Sequence, residues 1–154
     1  RVVRLSKQRA HGAVARSLQV ESGCDVWHVL VVHAENDVPV QLEDRHVLAD
    51  FARDFDRHDF TVTTPSACLS AIAPLQEAEQ VVRAAMPNAA VQKHLGMPAG
   101  EPCLVVVRRT WAHGRPVSFS RLHHPGSRFE LTGHYTPPGT PRSRPLQAVG
   151  DGSD

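Results

Sequence analysis

Ten residues, Val38 to Val47 (VPVQLEDRHV), constrain this chain most. Their alternation is that of a β-strand. Gln41, Glu43 and Arg45 point to one side, and Val40, Leu42 and Asp44 to the other. An acid and a base two residues apart on one strand face do not suit a plain apolar core, because unpaired charges are almost never fully buried. That face is therefore either open to solvent or part of a polar pocket built on a sheet. The preceding run, Asp25 to Ala34 (DVWHVLVVHA), is Val-rich and reads as a second strand. Glu35-Asn36-Asp37 turns one strand into the other, giving a β-hairpin. On the first arm Trp27, Val29, Val31 and His33 share a face, and Val26, His28, Leu30 and Val32 share the opposite one.

The rest of the chain follows the same style. Arg1 to Ser6 suits an edge strand, and His11 to Leu18 a short helix broken at Ser22-Gly23. Ala49 to Phe55 suits one or two helical turns. Thr64 is placed to cap a helix from Pro65 to Ala73, with Pro65 at its first position and Leu69 and Ile72 inward. The exposed N–H groups at that helix start form a small anion-binding device. Ala78 to Met86 reads as a strand ended by Pro87. Asn88 to Leu95 reads as a helix closed by Gly96. Pro102 to His113 and Arg115 to His124 form a second hairpin around His113-Gly114, and Arg128 to Tyr135 is expected to be a last strand. From Thr136 the sequence is Pro, Gly, Ser and Arg with few apolar residues, so residues 137–154 are expected to form a disordered tail after a domain spanning 1–136. Hairpins with short helices between them indicate an α+β fold with an antiparallel sheet and short flanking helices.

Composition excludes several classes of function. The net charge of +1 gives no nucleic-acid surface over the whole domain, and Arg108-Arg109, Arg142 and Arg144 are expected to be solvated surface. No apolar run approaches the ~20 residues of a membrane span. Three widely spaced cysteines, Cys24, Cys68 and Cys103, read as free thiols of a cytoplasmic protein. Ten histidines raise the question of metal, but there is no HExxH, no CxxC and no paired Cys/His spacing, so neither metal nor cofactor is expected. No GxSxG elbow marks a nucleophile, and no catalytic residue is assigned. What remains is a set of polar side chains on neighbouring strands: His33, Glu43, Arg45, Arg83, Ser118, Ser120 and His124. Thr64 and Ser66, at the helix start, are placed to close one end. A base and free N–H donors suit a carboxylate, and an acid or a hydroxyl suits a ring N–H.

The runs LEDR, TPSACLS, APL, EPCL, RRTW and HPGSR, spread between Asp25 and Thr136, together resemble the effector-binding UTRA domain of the GntR family of repressors, in its histidine-utilisation branch. The resemblance implies a chorismate-lyase-like fold, a homodimer and a sensing rather than catalytic role. It implies DNA binding only through an N-terminal winged helix-turn-helix that this chain lacks, and no membrane partner. The implied effector is urocanate or a related small carboxylate. Strand positions that carry phosphate-gripping arginines in sugar-phosphate-sensing relatives are Val31 and His33 here. Glu43, Ser118 and His124 match ligand-contacting positions, and Arg45 is expected to take the effector carboxylate. The chain departs from the branch pattern at Cys68, Gln80 and Arg83, which leaves the effector's identity open. A chorismate-lyase-like enzyme, a domain sensing another small molecule and a bare dimerisation module remain the alternatives.

Overall fold

The computed structural model describes residues 1–132. The tail expected from Thr136 lies outside the described residues. Six strands form one antiparallel sheet: β1 (Val2–Arg9), β2 (Asp25–Glu35), β3 (Val38–Leu48), β4 (Glu77–Ala85), β5 (Cys103–Ala112) and β6 (Arg115–Pro125). Their order is β1-β2-β3-β6-β5-β4. Both hairpins close through two residues with positive φ, Asn36-Asp37 and His113-Gly114, the geometry that matches the twist of paired strands. Three helices flank the sheet: α1 (Gly12–Leu18), α2 (Pro65–Ile72) and α3 (Ala89–Leu95). The starts of α2 and α3 and the end of α3 have local causes. Thr64 Oγ1 accepts from the Ala67 N–H and Asn88 Oδ1 from the Val91 N–H, while Gly96 ends α3 in the left-handed region.

The sheet is covered on both sides. On one face Trp27, Val29, Val31 and Val47 pack against Phe55, Phe60, Cys68 and Leu69 from the segment that ends in α2. On the other face α1 packs Ala15 and Leu18 against Val26, Leu48 and Phe119, and α3 packs Val91 and Leu95 against Val32, Leu42 and Val105. Between those two apolar clusters, on the α1/α3 side, lies a strip of polar side chains.

Two β-bulges set the side-chain phase. In the first hairpin Ala34 pairs with Pro39 but His33 pairs with Gln41, which leaves Val40 as an extra residue. In the second, Trp111 pairs with Pro116 but Thr110 with Ser118, which leaves Val117 extra.

Four expectations require correction. Ile72, expected inward, is exposed in the last turn of α2. The last strand does not form within the described residues: Gly126–Arg128 is a 3-10 turn and residues 129–132 are irregular. β6 is already flanked by β3 and β5, so the chain leaving it has no sheet edge to join. Arg128 instead donates to the carbonyls of Pro39, Leu95 and Gly96. The helical turns expected over Ala49 to Phe55 form as hydrogen-bonded turns followed by a 3-10 helix at Phe55–Arg57. Finally, Arg83 pairs with Val105, on the α1/α3 face, and so leaves the expected polar set.

Leu69 is fully buried and anchors α2 to the sheet. Leu69→Ala is expected to cost about 2–5 kcal/mol in urea unfolding, through lost contacts and a cavity. Thr64→Ala, which removes only the cap, is expected to cost about 1 kcal/mol.

Candidate functional site

The α2-side face becomes polar towards the tip of the first hairpin. Cross-strand register brings Arg45 beside Ser120 and Val29, and Glu43 beside Val31 and Leu122. Next to them lie Arg108, paired with both Ser120 and Gln80, and Val106, paired with Leu122 and Val82. A cavity of ≈ 390 Å³ opens over these residues. That volume is within the range of small-molecule sites.

Its floor is a buried ion pair. Arg45 and Glu43 are each only 2% exposed. Arg45 Nε donates to Glu43 Oε1 at 2.5 Å, Nη1 to Ser118 Oγ at 2.8 Å and Nη2 to Ser66 Oγ at 2.9 Å. One guanidinium thus ties β3 to β6 and to the first turn of α2. The other Glu43 oxygen, Oε2, takes a hydrogen bond from His33 Nε2 at 2.8 Å. Burial pushes the Glu43 carboxyl up, but the His33 hydrogen bond and the charge and hydrogen bond of Arg45 outweigh it and hold the group below the usual carboxylate range. The carboxylate is therefore ionised, and His33 is the donor.

Of the residues expected at the site, His33, Glu43, Arg45, Thr64, Ser66 and His124 line the cavity. Ser118 and Ser120 share the face but lie beneath it, Ser118 holding Arg45 and Ser120 with its hydroxyl unpartnered among the described residues. Arg45 is expected from the sequence to meet a ligand carboxylate, and in the structure its nearest carboxylate is that of Glu43. That pair is buried, and three guanidinium nitrogens already have protein acceptors. At α2 the Ala67 and Cys68 N–H groups bond to Thr64, and Pro65 has none, which leaves Ser66 as the first-turn backbone donor without a partner among the described residues.

Arg108 is the site residue that sequence reading missed. It lines the cavity, and among the described residues only its Nε is engaged, donating to Gln80 Oε1 at 2.9 Å. Burial lowers its pKa, as does the positive charge of Arg45 nearby, with Glu43 acting the other way. An anion between the two guanidiniums would relieve that repulsion. Phase alone could not select Arg108: an unbulged second hairpin would turn Arg109 to this face. His124 is stacked on Phe129, ring centroids 3.7 Å apart. Burial lowers its pKa; a hydrogen bond to the Val40 backbone opposes this, and the charges of His123, His33 and Arg108 add to it, so the ring is neutral at physiological pH. Val106, Leu122, Phe129 and Leu131 give the cavity its apolar wall.

Arg45→Ala would strand the Glu43 carboxylate in the interior. It is expected to cost about 3–5 kcal/mol of folding stability in urea unfolding, with little recovery in Arg45→Lys, which cannot fork to three acceptors. Arg108→Ala is expected to stay within about 1 kcal/mol of the parent in the same measurement.

The family model for the UTRA domain matches residues 1–130. The chain is 45% identical over 135 residues to the histidine utilization repressor of Pseudomonas putida, covering 88% of this chain and 54% of that one. It is 44% identical over 134 residues to the histidine utilization repressor of Klebsiella aerogenes, covering 87% and 56%. The chain thus spans about half the length of these curated relatives. Among solved structures, the C-terminal domain of the histidine utilization repressor from Pseudomonas syringae pv. tomato superposes with a TM-score of 0.85 at 48% identity, covering 88% of this chain and 96% of that one. The effector domain of PhnF from Mycobacterium smegmatis, at 20% identity and a TM-score of 0.80, shares the fold. Sheet order, helix placement and sequence agree that this chain belongs to the UTRA domain family, in the branch formed by the C-terminal domains of histidine utilization repressors.

Proposed function

We propose that this chain is the effector-sensing part of a GntR-type repressor of histidine-utilisation genes, and that its effector is urocanate or a close imidazole carboxylate. The observation that carries the reading is Arg108, a half-buried guanidinium that faces the cavity with its Nη groups unengaged among the described residues. A guanidinium fork suits a carboxylate. Urocanate is flat and conjugated, and the wall of Val106, Leu122 and Phe129 suits such a plane. In this reading Arg108 takes the carboxylate, with the remaining Arg45 N–H groups and the Ser66 N–H as secondary donors. Glu43, His33 and His124 offer an acceptor and ring nitrogens to the imidazole end.

The domain is read as a sensor and not as a lyase. The one buried acid among the described residues, Glu43, is held ionised between His33 and Arg45, so it has no proton to give and is a weak base. Sensing requires that the effector prefer one arrangement of the protein. Arg45 is suited to transmit such a preference, because it reaches the cavity, the sheet and α2 at once.

Urocanate is expected to raise the melting temperature, by an amount equivalent to about 2.7 kcal/mol at a hundredfold excess over Kd. Glucosamine phosphate and chorismate are expected to leave it unmoved, and urocanate should be recovered unchanged after incubation. Arg108→Ala should weaken urocanate binding by ~2–5 kcal/mol in isothermal titration. A shift with the sugar phosphate and none with urocanate would overturn the ligand class.

We also propose that the domain forms a homodimer through β4. This strand is a sheet edge, and it leaves the apolar side chains of Val81 (52%) and Val82 (37%) exposed, with Met86 (62%) just past its end. Such an edge is a template for pairing with a second copy. The parent is expected to sediment as a dimer at tens of micromolar, and a Val81→Lys/Val82→Lys variant as a folded monomer. A monomeric parent would rule the dimer out.

A further inference from the structure

The polar strip on the α1/α3 face is unrelated to the effector cavity. Asp44 and His46 are two apart on β3 and so project from the same face. On β2, His28 is the direct cross-strand partner of His46. We propose that His28 Nε2, Asp44 Oδ1 and His46 Nδ1 form a site for a divalent transition metal of the zinc class.

The three ligand atoms lie within 4.8 Å of one another. His28 Nε2 is 2.8 Å and His46 Nδ1 3.9 Å from Asp44 Oδ1. Tetrahedral zinc with nitrogen and oxygen ligands sets its donors about 3.4 Å apart; the two rings are stacked, with centroids 4.5 Å apart, and both must turn for their lone pairs to converge on one ion. Two imidazoles and one carboxylate suit zinc, cobalt or nickel and not calcium or magnesium. The site is largely shielded: the side chains of His28, Asp44 and His46 are 11%, 32% and 14% exposed.

Two further observations point to a ligand. His46 Nδ1 is buried with no hydrogen-bond partner among the described residues, a cost that a metal would remove. A supporting shell is also present. Gln8 Nε2 lies 3.1 Å from His28 Nδ1 and 3.1 Å from Ser6 Oγ. As it stands, Gln8 donates to Nδ1, and Nε2–H donates to Asp44. On metal binding the His28 proton moves from Nε2 to Nδ1. Gln8 then turns its amide so that Oε1 accepts from Nδ1–H and from the Ser6 hydroxyl. No net proton is gained or lost at His28, and the ring is oriented as metal-bound histidines commonly are. The fourth position is left to a water molecule; His123, on the same face with Nδ1 also buried and unpartnered among the described residues, pairs with Leu42 further along β6. Asp44 lies between Glu43 and Arg45, so the site stands back to back with the effector cavity.

The charges facing the site are Arg121, close enough to act on Asp44 and His46, and Arg83, which acts on His123. Arg121 is the competitor for Asp44. Its alternative seat is the Phe119 ring, whose centroid is 5.3 Å from the guanidinium carbon.

The test is titration of the metal-free chain with Co²⁺, read by visible d–d absorption, and with Zn²⁺, read by calorimetry, both without effector. One equivalent of Co²⁺ should give a tetrahedral spectrum that Zn²⁺ abolishes. His46→Gln and Asp44→Asn should lose it, while His58→Gln, at an exposed histidine elsewhere, should keep it. Arg121→Gln should tighten Zn²⁺ binding by about tenfold, because a nearby positive charge is removed. Absence of a spectrum at stoichiometric Co²⁺, or one that survives in both ligand variants, overturns the site. Should those variants fail to fold, Arg121→Gln decides: unchanged or weaker Zn²⁺ binding overturns the proposal.

Discussion

The buried pair between Glu43 and Arg45 is the constraint on which the site depends. Two charges are tolerated in the interior only when every donor and acceptor they bring is well placed. Here Glu43 is held by His33 and Arg45, and Arg45 by Glu43, Ser118 and Ser66. These contacts reach β2, β3, β6 and α2. The polar floor is thereby fixed in position, and the cavity above it is lined by groups whose protonation is determined by their neighbours.

The two faces of the sheet solve different problems with the same strands. On the α2 side the polar residues gather at one end, and the apolar core of Trp27, Val29, Phe55 and Leu69 occupies the other. On the α1/α3 side the polar residues occupy a strip between two apolar clusters. Strand β3 serves both, because successive residues alternate: Glu43 and Arg45 face one way, Asp44 and His46 the other. Four adjacent residues therefore contribute to two separate polar constellations, and only one of them opens into the cavity over β5 and β6.

The relatives fix what kind of domain this is, and the departures from the branch pattern take on physical meaning in the fold. Cys68 is a buried core residue of α2, away from the cavity lining. Arg83 lies on the opposite face. Gln80 does line the cavity, where it holds Arg108 through Nε. Of the three departures, only Gln80 therefore lies at the cavity.

Much was legible in the sequence, because it is local. The hairpins, the cap at Thr64, the shared face of Glu43 and Arg45, and the family all follow from short-range pattern and motif. The misplaced strand after Pro125, the wrong face given to Arg83 and the missed role of Arg108 have one common cause. They depend on which strand lies beside which, and on where a ladder slips by one residue. The extra residues Val40 and Val117 are ordinary valines with no turn chemistry to announce a bulge, yet each slip reverses the cross-strand phase beyond it. Sequence alone determined the composition of the polar set and its two-residue period. Tertiary structure alone decided that His33 meets Glu43, that Arg108 and not Arg109 enters the cavity, and that His28 lies opposite His46.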